Sequence, residues 1–328
     1  MDYEDGRLEH KEDFLKNLLN NNYSEETIYN YRRDLSLFEL FLWDQNIEFG
    51  DLNKDNIISF KDFLRTGKYI SILKNDTYKV HNFNSNSDGK LSARSINRIL
   101  SSLRSYLKFL IDFDFPTPIN PEVIKLIKTE KKNSQVAELE ELIKLIEFPS
   151  IYEKNDFVKI RNRAILETLF STGMRISELV SLNRDQINDD GKIYVLGKGK
   201  KQRFVYLTER AKKYIFDYLN IRNDENSVLF IPIRGGRNGS VNQRISTNYI
   251  QERISLYRKK LGIIVPTSAH SLRHGFATYL AEQGANPVAI QILLGHESLQ
   301  TTNKYVHTSD KYAEETHKKF HPLKGIDI

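Results

Sequence analysis

Apolar residues in the first third of the chain recur at intervals of three and four, which is the spacing of one helix face. Ser24 is a predicted N-cap, and Glu25 and Glu26 suit the positive end of the helix that follows. The apolar stripe of this helix consists of Ile28, Tyr31, Leu35, Phe38 and Leu42. The pattern predicts an amphipathic helix.

A second helix is predicted from about residue 92 to residue 111. Its apolar stripe consists of Ile96, Ile99, Leu103, Leu107 and Leu110. Its other face carries a polar stripe at the same spacing, made of Arg94, Arg98, Ser101, Ser105 and Lys108. Arginine, lysine and hydroxyl side chains can bind phosphates. An ordinary solvated face is the alternative, and the residues alone favour it.

Polar, irregular segments predict the domain boundaries. Residues 74–90 are rich in Asn, Ser, Asp and Gly, which predicts a loop, with a short hairpin as the alternative. Residues 128–137 are charged and lack periodicity. We therefore predict a helical domain over 1–130 with a long loop near 70–91, a linker over 131–137, and a second domain over 138–328.

The second domain is predicted to be mostly helical with one β-hairpin. A helix through "RNRAILETLFSTG" is expected to end at Gly173, and Ser177 is the predicted cap of the next helix. Two β-prone runs, Ile193–Leu196 and Phe204–Leu207, flank a turn rich in glycine and lysine. This predicts a hairpin with Lys198, Lys200 and Lys201 at or near its tip.

Composition excludes some classes of protein. The 328 residues contain no cysteine, which rules out disulfides, thiol nucleophiles and cysteine-ligated metals. The start of the chain lacks the apolar core of a signal peptide, and no segment has the length of a membrane span. A cytoplasmic protein with no membrane partner is expected. The net charge of +6 is weak evidence for a nucleic-acid partner.

Polar residues of the types that take part in catalysis cluster in "TGMRISEL", "HSLRHGFATYL" and "LLGHESLQTTNKYVH". In the last, His296 and Tyr305 are nine residues apart, which is about 900° of helical rotation and places them on opposite faces of a continuous helix. They can converge only if the helix breaks, and Gly295 and Ser298 offer a C-cap and a new N-cap. Arginines, histidines, a lysine and a tyrosine together suit phosphoryl transfer without a metal. Spacing alone does not select this set.

These motifs, together with "LGKGKKQR", resemble the tyrosine recombinase (phage integrase-like) superfamily, and its bacterial and archaeal Xer branch in particular. The likeness runs from Arg161 to Tyr305 and extends more weakly into the N-terminal helices. It implies Tyr305 as the nucleophile and Lys198 as the general acid. The other implied catalytic residues are Arg175 with its acidic partner Glu178, then His270, Arg273 and His296. Lys200, Lys201 and Arg203 are predicted DNA contacts.

The resemblance implies a mainly α protein with a small β-sheet, in which two domains form a clamp around DNA. It implies cleavage and rejoining of double-stranded DNA at inverted-repeat half-sites through a 3′-phosphotyrosyl link, with no cofactor. It also implies a homotetramer, in which the tail beyond about residue 311 docks on a neighbouring subunit; a tail folded back on its own domain is the alternative. Whether a DNA translocase activates the protein stays open.

Four alternatives remain beside this interpretation. They are a mobile-element integrase, a type IB-like topoisomerase, a non-catalytic DNA-binding protein and a zinc hydrolase. The zinc hypothesis rests on His270, His274 and His296, but Arg273 between the first two opposes a cation, and the spacing is not H-E-x-x-H. No metal is therefore predicted. Asn162 also departs from the aspartate common in relatives, which is expected to weaken a structural salt bridge.

Overall fold

A computed structural model describes residues 7–74, 90–129, 135–197, 202–233 and 243–295. The packing of the chain divides it into two units, Met1–Lys132 and Asn133–Ile328. Within the described residues both units are built from helices, and a single two-stranded sheet lies in the second unit. This confirms the predicted fold class, a mainly α chain with a small β-sheet.

The first unit is helical throughout its described part. Its helices are α1 (Lys11–Asn20), α2 (Glu25–Asp44), α3 (Lys54–Thr66), α4 (Lys68–Lys74) and α5 (Ala93–Asp112). Ser24 caps α2 by accepting a hydrogen bond from the backbone N–H of Thr27, as predicted, and Ser92 caps α5 through Ser95 in the same way. The start of the predicted loop near residues 70–91 is corrected, because α4 continues to Lys74. Residues 75–89, which make up most of that loop, lie outside the described residues.

The core of the first unit is formed by the stripes that the sequence predicts. Leu35, Phe38 and Leu42 of α2 are fully buried, and so are Leu103, Leu107 and their neighbours on α5. The partly buried Ile28 and Tyr31 pack against the same cluster. Burial of these side chains, at about 1.5–3 kcal/mol each, holds the helices together.

The second unit contains the remaining helices and the hairpin. These elements are α6 (Leu139–Glu147), α7 (Pro149–Tyr152), α8 (Asp156–Thr172), α9 (Ile176–Ser181), β1 (Lys192–Leu196), β2 (Gln202–Tyr206), α10 (Glu209–Asn220), α11 (Thr247–Leu261), α12 (Ala269–Glu282) and α13 (Pro287–Leu294). Residues at the end of the predicted linker belong to this unit, because Ala137 is buried in its core and its carbonyl accepts a hydrogen bond from the Tyr279 hydroxyl at 3.0 Å.

The β-hairpin pairs β1 with β2 in antiparallel register, with Ile193 opposite Val205 and Val195 opposite Arg203. In both strands the second and fourth residues are buried and the others are exposed. One face of the hairpin therefore packs on the core, and the other carries exposed aromatic side chains such as Tyr194 and Phe204. Among the described residues, no helix is both long and apolar enough to cross a membrane.

Candidate active site

Arg175 and Glu178 are held by the break between α8 and α9. Gly173 ends α8 with a φ of 59°, as predicted. Arg175 is the N-cap of α9; the predicted cap Ser177 lies inside that helix, which corrects the prediction. The Glu178 carboxylate accepts hydrogen bonds from the Arg175 backbone N–H at 2.7 Å and from Arg175 Nη1 at 2.9 Å. Glu178 therefore orients both the backbone and the side chain of Arg175.

Arg273 lies on α12 and is only 3% exposed. Its Nη1 donates to the Gly173 carbonyl at 2.7 Å, and its Nη2 donates to the Leu294 carbonyl at 2.6 Å. The two carbonyls belong to the ends of α8 and α13. The guanidinium is thus fixed in orientation by two helix ends that are distant in sequence.

Arg203 was expected to contact DNA, and the structure gives reason to correct this. Its side chain is 6% exposed and lies inside the fold. Nη1 and Nη2 each donate to one oxygen of Glu178 at 2.8 Å, and Nε donates to the Leu293 carbonyl at 2.7 Å. Arg203 lies two residues before the buried Val205 on β2, so the two side chains share one face of the strand. The period of two therefore already indicates an inward side chain for Arg203.

The C-terminal end of α13 is surrounded by arginine side chains. Three arginines, which we call the arginine clamp, donate to three consecutive carbonyl oxygens: Arg203 to Leu293 at 2.7 Å, Arg273 to Leu294 at 2.6 Å and Arg175 to Gly295 at 3.4 Å. The last carbonyls of a helix lack partners inside the helix and carry partial negative charge. The clamp satisfies them at the point where the chain continues into His296.

Glu178 supplies the negative charge within the arginine clamp. Burial raises the pKa of Glu178, but hydrogen bonds and charge from Arg203 and Arg175 outweigh burial and leave the pKa below its ordinary value. The carboxylate is therefore ionised at neutral pH. It pairs with two of the arginines but neutralises only one positive charge, so the clamp keeps excess positive charge that suits a phosphodiester.

His270 lies one turn before Arg273 on α12. Its Nε2 is 2.8 Å from Nε2 of His274, so one of the two nitrogens donates and the other accepts. Partial burial lowers the pKa of His270, and the positive charges of Arg273 and Arg175 lower it further. The neutral imidazole is therefore favoured at neutral pH. When His274 is the donor of the pair, the one N–H of His270 is on Nδ1 and can donate to a phosphate oxygen.

The structure thus brings together four of the predicted catalytic residues: Arg175, Glu178, His270 and Arg273. The other predicted site residues, Lys198, Lys200, Lys201, His296 and Tyr305, lie outside the described residues, as do Ser298 and the tail. Gly295 ends α13 with a φ of 63°, which confirms the predicted C-cap. The predicted new helix that starts at Ser298 and carries Tyr305 lies outside the described residues.

The polar stripe of α5 lies mostly on its solvent-facing side. Arg94, Arg98, Ser101 and Lys108 are exposed and Ser105 is half-buried. Arg98 also forms an ion pair with the buried Asp34, whose Oδ2 accepts from Ser102 at 2.8 Å. Most of the stripe is therefore exposed among the described residues, and the Asp34 carboxylate holds Arg98 in place.

Asn162 contacts Arg161 through hydrogen bonds to a neutral amide and not through a salt bridge. Its Oδ1 accepts from Arg161 Nε at 3.2 Å and from Nη2 at 3.1 Å, and its Nδ2 donates to the Tyr257 hydroxyl at 2.8 Å. The amide therefore contacts the same buried arginine without a formal charge and also donates to a tyrosine, which a carboxylate cannot do.

Replacing Gly173 with alanine is expected to destabilise the second unit by about 2–5 kcal/mol, from strain at positive φ together with overpacking. A Cβ at this position would lie 2.4 Å from Cδ1 of Phe276. Gly262 is a matched control, because its φ is also positive, 72°, while nothing lies within 4 Å of its Cβ position. Denaturant unfolding should show the larger loss for Gly173→Ala; equal losses would contradict the proposed close contact with Phe276.

Comparison with known families places the two units in context. Residues 135–312 match the phage integrase family, and residues 12–112 match the family described as phage integrase, N-terminal SAM-like domain. The first match spans more than half of the 328-residue chain and includes all the predicted catalytic positions.

The chain is similar to curated bacterial recombinases along most of its length. It is 31% identical over 319 residues to tyrosine recombinase XerD of Staphylococcus haemolyticus, covering 95% of this chain and 98% of that protein. It is 36% identical over 247 residues to tyrosine recombinase XerC of Thermodesulfovibrio yellowstonii, covering 72% of this chain and 78% of that protein.

Solved structures share the fold at lower identity. XerH recombinase in a post-cleavage complex with a palindromic difH substrate has a TM-score of 0.67 at 20% identity, covering 96% of this chain and 91% of that chain. A lambda integrase tetramer bound to a Holliday junction has a TM-score of 0.66 at 19% identity, covering 90% and 75%.

Proposed function

Because the chain belongs to the phage integrase family of tyrosine recombinases and is of the Xer type, we propose that it exchanges DNA strands at specific sites. In this proposal Tyr305 cleaves the DNA backbone, and Lys198, His296 and the arginine clamp support the reaction. The observation that carries the proposal is the fixed placement of Arg175 and Arg273. Both guanidiniums bind carbonyls at the end of α13, immediately before the segment with His296 and Tyr305.

The residues support an in-line displacement at phosphorus. Tyr305 loses its hydroxyl proton to solvent and its Oη forms a bond to phosphorus while the bond from phosphorus to the 5′ oxygen breaks. Lys198 gives its proton to the departing 5′ oxygen, and in rejoining both proton transfers run in reverse. Arg175, Arg273 and His270 donate to the non-bridging oxygens, whose negative charge develops in the transition state. The product is a 3′-phosphotyrosyl link and a free 5′-hydroxyl.

Rejoining is the reverse reaction with a different 5′-hydroxyl. The hydroxyl of a partner duplex attacks the phosphotyrosyl phosphorus, and the Tyr305 oxygen leaves. One phosphodiester is broken and one is made, so the covalent link retains the bond energy and the exchange needs no ATP. Glu178 takes no proton in this scheme, since its role is to orient Arg175.

The proposed substrate is double-stranded DNA with inverted-repeat half-sites, bound by a homotetramer in the cytoplasm. Support for DNA contact comes from the α5 stripe, in which Arg94, Arg98, Ser101 and Lys108 are exposed and Ser105 is half-buried, and from Lys200 and Lys201 in the sequence. Support for assembly comes from the relatives, which include a lambda integrase tetramer on a Holliday junction. Two half-sites on each of two duplexes require four protomers for paired exchange.

The proposed biological role is resolution of chromosome or plasmid dimers. Similarity over 95% of the chain to a protein named XerD favours this role over integration of a mobile element. Activation by a DNA translocase is a further element of the proposal, and it is tested by adding a translocase to the purified reaction.

The proposal is tested with nicked duplexes that carry the inverted repeats flanking the gene. A nick close to the cleavage site releases a short fragment, which traps the covalent intermediate. We expect a denaturant-resistant protein–DNA adduct, a blocked 3′ end and a free 5′-hydroxyl that polynucleotide kinase can label. An adduct on the 5′ end, or none with any of the repeats, would overturn the proposal.

A further inference from the structure

Arg203 projects from β2 into the interior of the second unit and does not face solvent. The residue is 8% exposed, and its register partner Val195 is 3% exposed. A Cβ at Gly295 would lie 2.9 Å from Cδ of Arg203, so the last turn of α13 packs tightly on the arginine stem. A charged side chain in such a place requires specific partners.

The partners of Arg203 are Glu178 and the end of α13. The two Nη atoms each donate to a different oxygen of Glu178 at 2.8 Å, which is the bidentate geometry that only arginine provides. The Nε donates in a third direction to the Leu293 carbonyl at 2.7 Å. Arg203 therefore joins strand β2, helix α9 and helix α13 at one point.

Glu178 is shared between two arginines that differ in exposure. The Arg203 side chain is 6% exposed and the Arg175 side chain is 33% exposed. Since Arg203 is locked by packing and by three hydrogen bonds, it determines the plane of the Glu178 carboxylate. That carboxylate in turn orients the more exposed Arg175, which can reach a bound phosphate.

We propose that Arg203 is a positioning residue for DNA cleavage: it fixes Glu178 and the last turn of α13, and through them sets Arg175 against the scissile phosphate. The inference rests on the proposed function, because it assigns Arg203 to that same reaction. Among the described residues, the Arg203 guanidinium donates to Glu178 and the Leu293 carbonyl, so its loss should slow the chemical step and leave DNA affinity nearly unchanged.

The test compares Arg203→Met and Arg203→Lys with the unaltered chain on the nicked duplex. At saturating protein, we expect single-turnover cleavage by Arg203→Met to fall about 100-fold or more, as for an active-site group misplaced by about 1 Å. Arg203→Lys retains the charge but loses the fork, and we expect its cleavage to fall at least about tenfold. The dissociation constant and its salt dependence should stay near those of the unaltered chain.

Arg222→Met is the matched control for the cost of removing a buried arginine. The Arg222 side chain is 0% exposed, pairs with Asp224 and donates to the carbonyls of Val228 and Leu229. No predicted catalytic residue is among these partners. After correction for the folded fraction, measured by denaturant unfolding, Arg222→Met should cleave at the unaltered rate.

A double substitution tests the route through Glu178. If Arg203 acts by holding Glu178, Arg203→Met combined with Glu178→Gln should cleave no more slowly than the worse single variant. Multiplied losses would overturn the inference, since the two residues would then act independently.

Three further outcomes would also overturn it. The first is cleavage at the unaltered rate by folded Arg203→Lys, and the second is an equal loss in Arg222→Met. The third is weaker DNA binding with a salt slope reduced by about one, which marks a direct phosphate contact. Absence of any adduct from the unaltered chain would overturn the proposed function itself. The failure of the Arg203 inference is therefore distinguishable from the failure of the proposed function.

Discussion

Replacing Tyr305 with phenylalanine is expected to abolish the covalent protein–DNA adduct. Phenylalanine has the same ring but lacks the oxygen that would bond to phosphorus, so position 305 can no longer form the covalent link. Loss of a nucleophile costs about 10⁴-fold or more in rate. The measurement is adduct formation on the nicked duplex, together with a binding assay on the intact duplex.

Tyr206→Phe is the control for removing a tyrosine hydroxyl. Tyr206 lies on the outer face of β2 and is 52% exposed, so its hydroxyl has no place in the arginine clamp. We expect this variant to form the adduct normally. An undiminished adduct from Tyr305→Phe would show that another residue is the nucleophile, while loss of DNA binding in Tyr305→Phe would assign the tyrosine a role in affinity.

Replacing Arg273 with lysine is expected to slow cleavage about 10³-fold or more, the range for an arginine that stabilises charge in phosphoryl transfer. The Arg273 guanidinium donates to the Gly173 and Leu294 carbonyls, and these two hydrogen bonds fix its orientation. A lysine ammonium is a single point of charge on a flexible stem. It cannot donate to both carbonyls and also offer a planar fork of N–H donors to phosphate.

Arg222→Lys separates this catalytic effect from a general loss of stability. Arg222 is likewise buried and donates to backbone carbonyls, those of Val228, Leu229 and Asn226. Cleavage by Arg222→Lys should stay within about threefold of the unaltered chain, because a cost of about 0.5–3 kcal/mol, typical of single substitutions, leaves the folded fraction high. Cleavage by Arg273→Lys within tenfold of the unaltered rate would contradict the assigned role.

Local patterns were sufficient to predict helices α2 and α5 and the hairpin, although β2 spans Gln202–Tyr206 and not Phe204–Leu207. The stripes of α2 and α5 become the core of the first unit because a helix with one apolar face must bury that face. Gly173 and Gly295 were predicted as helix ends, and both have positive φ, which glycine adopts without the penalty of a Cβ. These are local properties, and the chain carries them in neighbouring residues.

The direction of individual side chains was harder to predict. Arg203 sits in a basic run beside Lys200 and Lys201, and this composition suggested a DNA contact. Strand alternation turns it inward, where Glu178, 25 residues earlier, supplies the charge that makes its burial tolerable. A single sequence does not reveal that pairing, because the partner is distant along the chain.

The sequence by itself determined the family through its motifs, and it determined helices α2 and α5 and the helix ends at Gly173 and Gly295 through local patterns. The candidate catalytic residues follow from the same family motifs. Only the tertiary structure decided how the arginines are held. Arg273 and Gly173 are 100 residues apart, and Arg175 and Gly295 are 120 apart. Carbonyl acceptors are present in every residue, so only packing of helix ends selects which of them orient a guanidinium.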